Sequence, residues 1–140
     1  MKILLAVDGS AYTQKMLAYL GAHPQLLSGE LEFTALTVQA PLPPRARAMV
    51  GKAEVDAYYA EEADKVLAAV EATMSQQNYK VQRASLVGNA GEEIAKFADA
   101  GGFDLLLMGS HGNGSLSNLV MGSVATKVLA ASKVPVLLIR

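Results

Sequence analysis

The 140-residue chain contains no cysteine and no tryptophan. Without thiols there is no disulfide framework, no thiolate nucleophile and no thiolate metal site, so any chemistry comes from other groups. Charge is scarce and balanced: Asp, Glu, Lys and Arg make up 18% of the chain, and 12 Lys+Arg face 13 Asp+Glu for a formal net charge of -1. A protein that binds nucleic acid by neutralising phosphates needs a clustered excess of cations. Neither that class nor a basic membrane-surface binder fits this balance. Long hydrophobic runs are missing too, since no stretch approaches the roughly 18 consecutive apolar residues of a membrane span, although 51% of the chain is hydrophobic. The opening run Ile3-Leu4-Leu5-Ala6-Val7 meets Asp8, short of the roughly 7–15 residues of a signal-peptide core, and reads as a first strand. The expectation is one cytoplasmic domain over residues 1–140, long enough to bury roughly 68–70% of the surface of the unfolded chain.

Several motifs are also absent. There is no G-x-x-x-x-G-K-[ST], no G-x-G-x-x-G after a strand, no G-x-S-x-G elbow and no H-E-x-x-H helix. Phosphate-loop NTPases, ordinary dinucleotide dehydrogenases, α/β-hydrolases and zinc metalloproteases are thereby excluded. The first strand is followed by Asp8-Gly9-Ser10, so the S-G-G-x-D-S signature of the ATP pyrophosphatases is missing as well.

What is present is an alternation of two periods. Apolar runs of strand length occupy residues 2–7, 31–38, 103–108 and 134–139; the first, third and fourth scarcely alternate, as strands buried on both faces do. A fifth, residues 79–87, alternates Tyr79, Val81, Arg83 and Ser85 with polar or small residues and reads as an edge strand. Between them, residues 53–75 place Val55, Tyr59, Ala63, Val66, Val70 and Met74 at helical spacing opposite Glu61, Glu62, Asp64, Lys65 and Glu71. Shorter helical patterns cover residues 11–21, 91–100 and 123–131. Strand and helix in strict alternation predict an α/β fold with a parallel sheet covered on both faces. The three prolines of Ala40-Pro41-Leu42-Pro43-Pro44-Arg45-Ala46-Arg47 predict an extended loop, because proline joins neither a strand nor a helix interior. His23, before Pro24, reads as an exposed loop residue, and Glu92 and Glu93 as favourable charge at a helix start.

In a doubly wound sheet the binding crevice lies beyond the carboxyl ends of the strands, where the strand order reverses. Asp8-Gly9-Ser10 follows the first strand there, and Gly109-Ser110-His111-Gly112-Asn113-Gly114-Ser115 follows the fourth. Glycines permit positive φ and let an anion reach the main chain. Gly122-Ser123 precedes the last helical pattern, with Ser123 in the N-cap position, so its hydroxyl and the helix-start N–H groups would face one phosphate. The plainer alternatives are a turn with a capped helix for this segment and turn chemistry for Asp8. His111 beside serines does not make a triad, because no orienting carboxylate is identifiable.

Gly109, Gly112, Gly122 and Ser123 complete the pattern G-x2-G-x9-G-[ST], and through it the chain resembles the ATP-binding branch of the universal stress proteins. The opening Ile3 to Ser10, the Asp104 to Gly112 block and the ending Val134-Pro135-Val136-Leu137-Leu138-Ile139 extend the resemblance over the whole chain; Ala90 departs from the proline common at that place. The resemblance implies a single doubly wound, Rossmann-like sheet of the adenine nucleotide alpha hydrolase type, strand order 3-2-1-4-5. It implies a nucleotide site of Val7, Asp8, Val38, Met108, Gly109, His111, Gly112, Asn113, Gly122, Ser123 and Val124. Val38 would contact adenine and Asp8 the ribose or a phosphate-bound Mg2+ or Mn2+. The implied ligand is ATP, with ADP, AMP and cyclic AMP open; hydrolysis would be slow or nil and no residue catalytic. A homodimer through the last strand, Val134 to Ile139, is implied too. The alternatives are an enzyme transferring adenylyl or phosphoryl groups in the same crevice and a nucleotide-free interaction protein. The loop 39–51 and the residue after it offer Arg45, Arg47 and Lys52 as candidates to meet the phosphates.

Overall fold

The computed structural model describes residues 1–112 and 121–140. Five strands, β1 (Lys2–Ala6), β2 (Glu32–Gln39), β3 (Val81–Val87), β4 (Leu105–Gly109) and β5 (Val136–Ile139), alternate with α1 (Ala11–Ala22), α2 (Pro44–Val50), α3 (Lys52–Gln76), α4 (Ala90–Ala100) and α5 (Ser123–Ala131), plus a 3-10 turn at Pro24–Leu26. The strands form one parallel sheet in the order β3-β2-β1-β4-β5, the order expected. On β1, Ile3 pairs with Phe33 on one side and Leu105 on the other.

Alternate residues of the central strands serve two cores. Ile3, Leu5 and Val7 pack with Met16, Leu17 and Leu20 of α1 and Leu67, Val70 and Met74 of α3. Leu4, Ala6, Leu106 and Met108 pack with Ile94 and Ala98 of α4 and Val128 of α5. Both faces of β1 are therefore apolar, which is why its sequence does not alternate. α4 and α5 lie so close that a Cβ on Gly91 would come within 2.6 Å of Lys127 Cβ.

Helix boundaries follow local chemistry. Ser10 caps α1 and Asn89 caps α4, each side chain accepting from the N–H three residues on. Glu92 and Glu93 stand in the first turn of α4, where the helix dipole favours them. The Asp99 carboxylate accepts from Ser132 Oγ at 2.7 Å and from the Lys133 amide at 3.0 Å, which holds it below the usual carboxylate range and ties α4 to the approach to β5. His23 closes α1, half-buried with its ring 4.1 Å from that of Tyr19, rather than standing exposed in a loop.

The proline-rich segment corrects the expectation of an extended loop. Pro43 is the N-cap and Pro44 the first residue of α2, positions where the missing N–H has no partner to lose and the fixed φ suits a helix start. Gly51, at φ 82°, then turns the chain into α3.

β3 is an edge strand, as its alternation predicted, and exposes Gln82, Arg83, Ser85 and Val87. Arg83 forks between Asp64 at 2.6 Å and Glu71 on α3. The hydrogen bond from Arg83 holds the Glu71 carboxyl below its ordinary value. A carboxyl depressed in the folded state stabilises above its unfolded pKa, about 4.3, and loses that contribution as pH falls through the folded value. Glu71→Gln is expected to melt below the wild type at pH 7, with the difference closing on acidification past about pH 4 in calorimetry across a pH series.

Candidate functional site

Between β2 and β3 the sheet winds one way from β1, and between β4 and β5 the other, so the order reverses at the β1–β4 pair. A cavity of about 510 Å³ opens there, at the carboxyl ends of the strands, within the roughly 300–1,000 Å³ of small-molecule sites. Its apolar wall is Ala6 and Val7 of β1 and the residue after it, Val38 of β2, Met108 of β4, and Ala90 and Ile94 of α4. Its polar end is Asp8, Thr13, Gly109, His111, Gly112 and the start of α5, Gly122 to Ala125. Among the described residues, no lysine or arginine lines it.

Hydrogen bonds lock this polar end. The Ser110 amide donates to the Ile139 carbonyl at 2.8 Å, and the Gly122 amide donates to the Ser110 carbonyl at 2.7 Å, fixing the start of α5 to the end of β4. Unlike α1 and α4, α5 has no side-chain cap, since its N-cap is Gly122. Its first-turn N–H groups, which no intrahelical carbonyl can satisfy, point out of the helix start with the positive end of its dipole. Ser110 is 1% exposed, and its Oγ lies 2.9 Å from His111 Nδ1. The hydroxyl braces the imidazole, which also packs on Tyr12 at a ring separation of 4.9 Å; being buried outside the cavity lining, it is not presented as a nucleophile.

The glycines are required by close approach. Gly109, Gly112 and Gly122 are not among the positive-φ residues, which corrects the conformational reading of their role. A Cβ on Gly109 would stand 2.6 Å from Tyr12 Cβ, on Gly112 2.7 Å from Asp8 Oδ2, and on Gly122 3.1 Å from His111 Cα. α1, the Asp8 carboxylate and the β4 exit are thus packed against bare backbone.

Over residues 1–140 the chain matches the family described as the universal stress protein family. It belongs to that family. It is 32% identical over 139 residues to Universal stress protein Slr1230 of Synechocystis, 99% of this chain and 42% of that protein. It is 35% identical over 80 residues to Universal stress protein MJ0577 of Methanocaldococcus jannaschii, 57% of this chain and 49% of that one. The matched part thus spans less than half the length of either relative. The solved structure of MJ0577 superposes with a TM-score of 0.79 at 30% identity, covering 99% of this chain and 94% of that one. A universal stress protein in complex with cAMP and a family protein of Arabidopsis thaliana with AMP bound share the fold. Their TM-scores are 0.65 and 0.68 at 21% and 15% identity, with 100% and 99% of this chain covered and 97% and 90% of theirs.

In this universal stress protein, ten of the eleven residues singled out in the sequence line the one cavity: Val7, Asp8, Val38, Met108, Gly109, His111, Gly112, Gly122, Ser123 and Val124. Asn113 lies outside the described residues. Ser123 is the first residue of α5 rather than its cap, which falls on Gly122; a glycine cap leaves no side-chain signature. Arg47 and Lys52 do not reach this cavity. They line a second one of about 650 Å³ between α2 and α3, where Lys52 pairs with Asp56 at 2.7 Å; Arg45 lines neither. Sequence reasoning missed Ala6, Ala40, Ala90, Ile94, Ala125 and Thr13 in the lining. Only Thr13 had a signal, a polar residue in phase with Met16, Leu17 and Leu20.

Gly109→Ala is expected to cost about 1–3 kcal/mol of stability by overpacking against α1, read as a lower midpoint in urea denaturation.

Proposed function

We propose that this universal stress protein is an adenine-nucleotide-binding regulatory module, with ATP as the ligand and little or no hydrolysis. The observation that carries the reading is the division of the cavity into an apolar wall and a cation-free polar end at an uncapped helix start. Adenine would lie against Val7, Val38 and Met108. The phosphates would meet main-chain N–H groups at Gly112, Ser123 and Val124, as anions do at helix N-termini. Gly109 and Gly122, whose own amide donates to the Ser110 carbonyl, would leave room for them beside bare backbone. His111 would flank them.

A divalent ion fits this donor set. Among the described residues there is no group of three or more His, Cys, Asp or Glu, and Asp8 is the one carboxylate in the lining. Mg2+ is commonly held through one or two carboxylates together with substrate phosphates, so Asp8 would hold Mg2+ or Mn2+ jointly with the nucleotide. The ion would screen the phosphates from the Asp8 charge. Among the described residues the same lining offers no lysine or arginine to stabilise a transferring phosphoryl group, which favours binding over transfer. The cAMP and AMP complexes belong to proteins that share the fold at 21% and 15% identity, and titration with each nucleotide reads the phosphate count directly.

Mass spectrometry of ligand released from the purified protein, followed by calorimetric titration with ATP, ADP, AMP and cyclic AMP, is expected to give ATP the highest affinity in Mg2+. Chelation should weaken ATP binding about tenfold or more, and Gly122→Val should abolish it. No binding of any adenine nucleotide at millimolar concentration overturns the reading.

We further infer a homodimer through β5 and the residues before it, Val134 to Ile139. Val136, Leu137 and Leu138 are half-buried at a sheet edge whose outer side has no partner strand among the described residues, and a bare apolar edge invites pairing. The pairing would be isologous. Light scattering is expected to give twice the chain mass at micromolar concentration, and a monomer there refutes it.

A further inference from the structure

Asp8 is held by hydrogen bonds that lead to one buried residue. The Asp8 amide donates to Thr13 Oγ1 at 3.1 Å, and the Thr13 hydroxyl donates to Asp8 Oδ1 at 2.9 Å. The directions are forced: an amide can only donate, so the hydroxyl accepts there and spends its single proton on the carboxylate. The Ser10 amide supplies a second donor to the same Oδ1 at 2.9 Å. Thr13 is 4% exposed and is itself fixed in the first turn of α1, where its amide donates to Ser10 Oγ. With Oδ1 engaged by two donors, Oδ2 is turned toward the glycine loop, 2.7 Å from where a Gly112 Cβ would stand.

The geometry points to Thr13 as the positioning residue of the site: its hydroxyl sets the rotation of the Asp8 carboxylate, so that Oδ2 faces the phosphate end of the cavity. This rests on the nucleotide reading above and adds to it a residue that makes its contribution through another. Thr13 is buried on α1 together with Met16, Leu17 and Leu20, so its hydroxyl is confined, whereas a surface hydroxyl would sample its rotamers freely. Asp8 is consequently presented in one orientation before any ligand arrives, and binding does not have to order it.

A double-mutant cycle on ATP affinity in Mg2+ tests this, using wild type, Thr13→Val, Asp8→Asn and the double variant, with melting temperatures recorded for each. Thr13→Val is near-isosteric and removes only the hydroxyl. The expected result is a loss of about tenfold in the wild-type background and less than twofold in the Asp8→Asn background, with Thr13→Ser restoring affinity to within about threefold of wild type. An equal loss in both backgrounds would make Thr13 a merely structural residue and overturn the assignment. So would unchanged affinity in Thr13→Val. If Thr13→Val does not fold, Thr13→Ala enters the same cycle with the same criteria. A wild type that binds none of the four nucleotides overturns the nucleotide reading itself, and the Thr13 assignment falls with it.

Discussion

β1 lies between β2 and β4, with Ile3 beside Leu105 and Ala6 beside Met108. The β1–β4 contact joins segments from opposite ends of the chain, and nearly every functional feature depends on it. It makes the strand order reverse, and so opens the crevice at the carboxyl ends. It brings Asp8, at the end of one strand, beside Gly112, just past the end of the other. Closing so long a loop carries an entropy cost that grows only slowly with length, and the two-sided burial of Leu4, Leu5, Leu106 and Leu107 offsets it.

Around that pair the backbone is brought closer than side chains would allow. Gly109 admits α1 through Tyr12, Gly112 admits the Asp8 carboxylate, and Gly122 admits the chain at His111. The same contacts that seat α1 also place Thr13 under Asp8. Packing and site are therefore one set of contacts. A methyl group added at any of these glycines would disturb the geometry before any ligand was present.

Much of this was legible in the sequence, for physical reasons. β1 shows burial on both faces by its unbroken apolar run, and β3 shows its edge position by alternation around Arg83 and Ser85. The crevice residues were legible because they directly follow strands. What was not legible depends on partners distant in the chain. Pro43 and Pro44 carry the same local signal in a loop and at a helix start, so α2 was hidden. Gly122 and Ser123 both suit a cap, and nothing local chooses between them. The glycines advertise freedom of φ, whereas their use here is proximity to Tyr12, Asp8 and His111. Thr13 stood in the apolar phase of α1, and a buried hydroxyl there called for a partner that only the fold supplies.

The two edges of the sheet are unlike. β3 carries Arg83, clamped by Asp64 and Glu71, and such a fixed charge discourages another strand from adding there. β5 carries no charged residue. A sheet with one guarded margin and one open margin can lengthen in a single direction, and once two open margins have met, only guarded ones face outward. Under the pairing proposed for β5, assembly by strand addition would therefore terminate at a pair rather than run on into a filament.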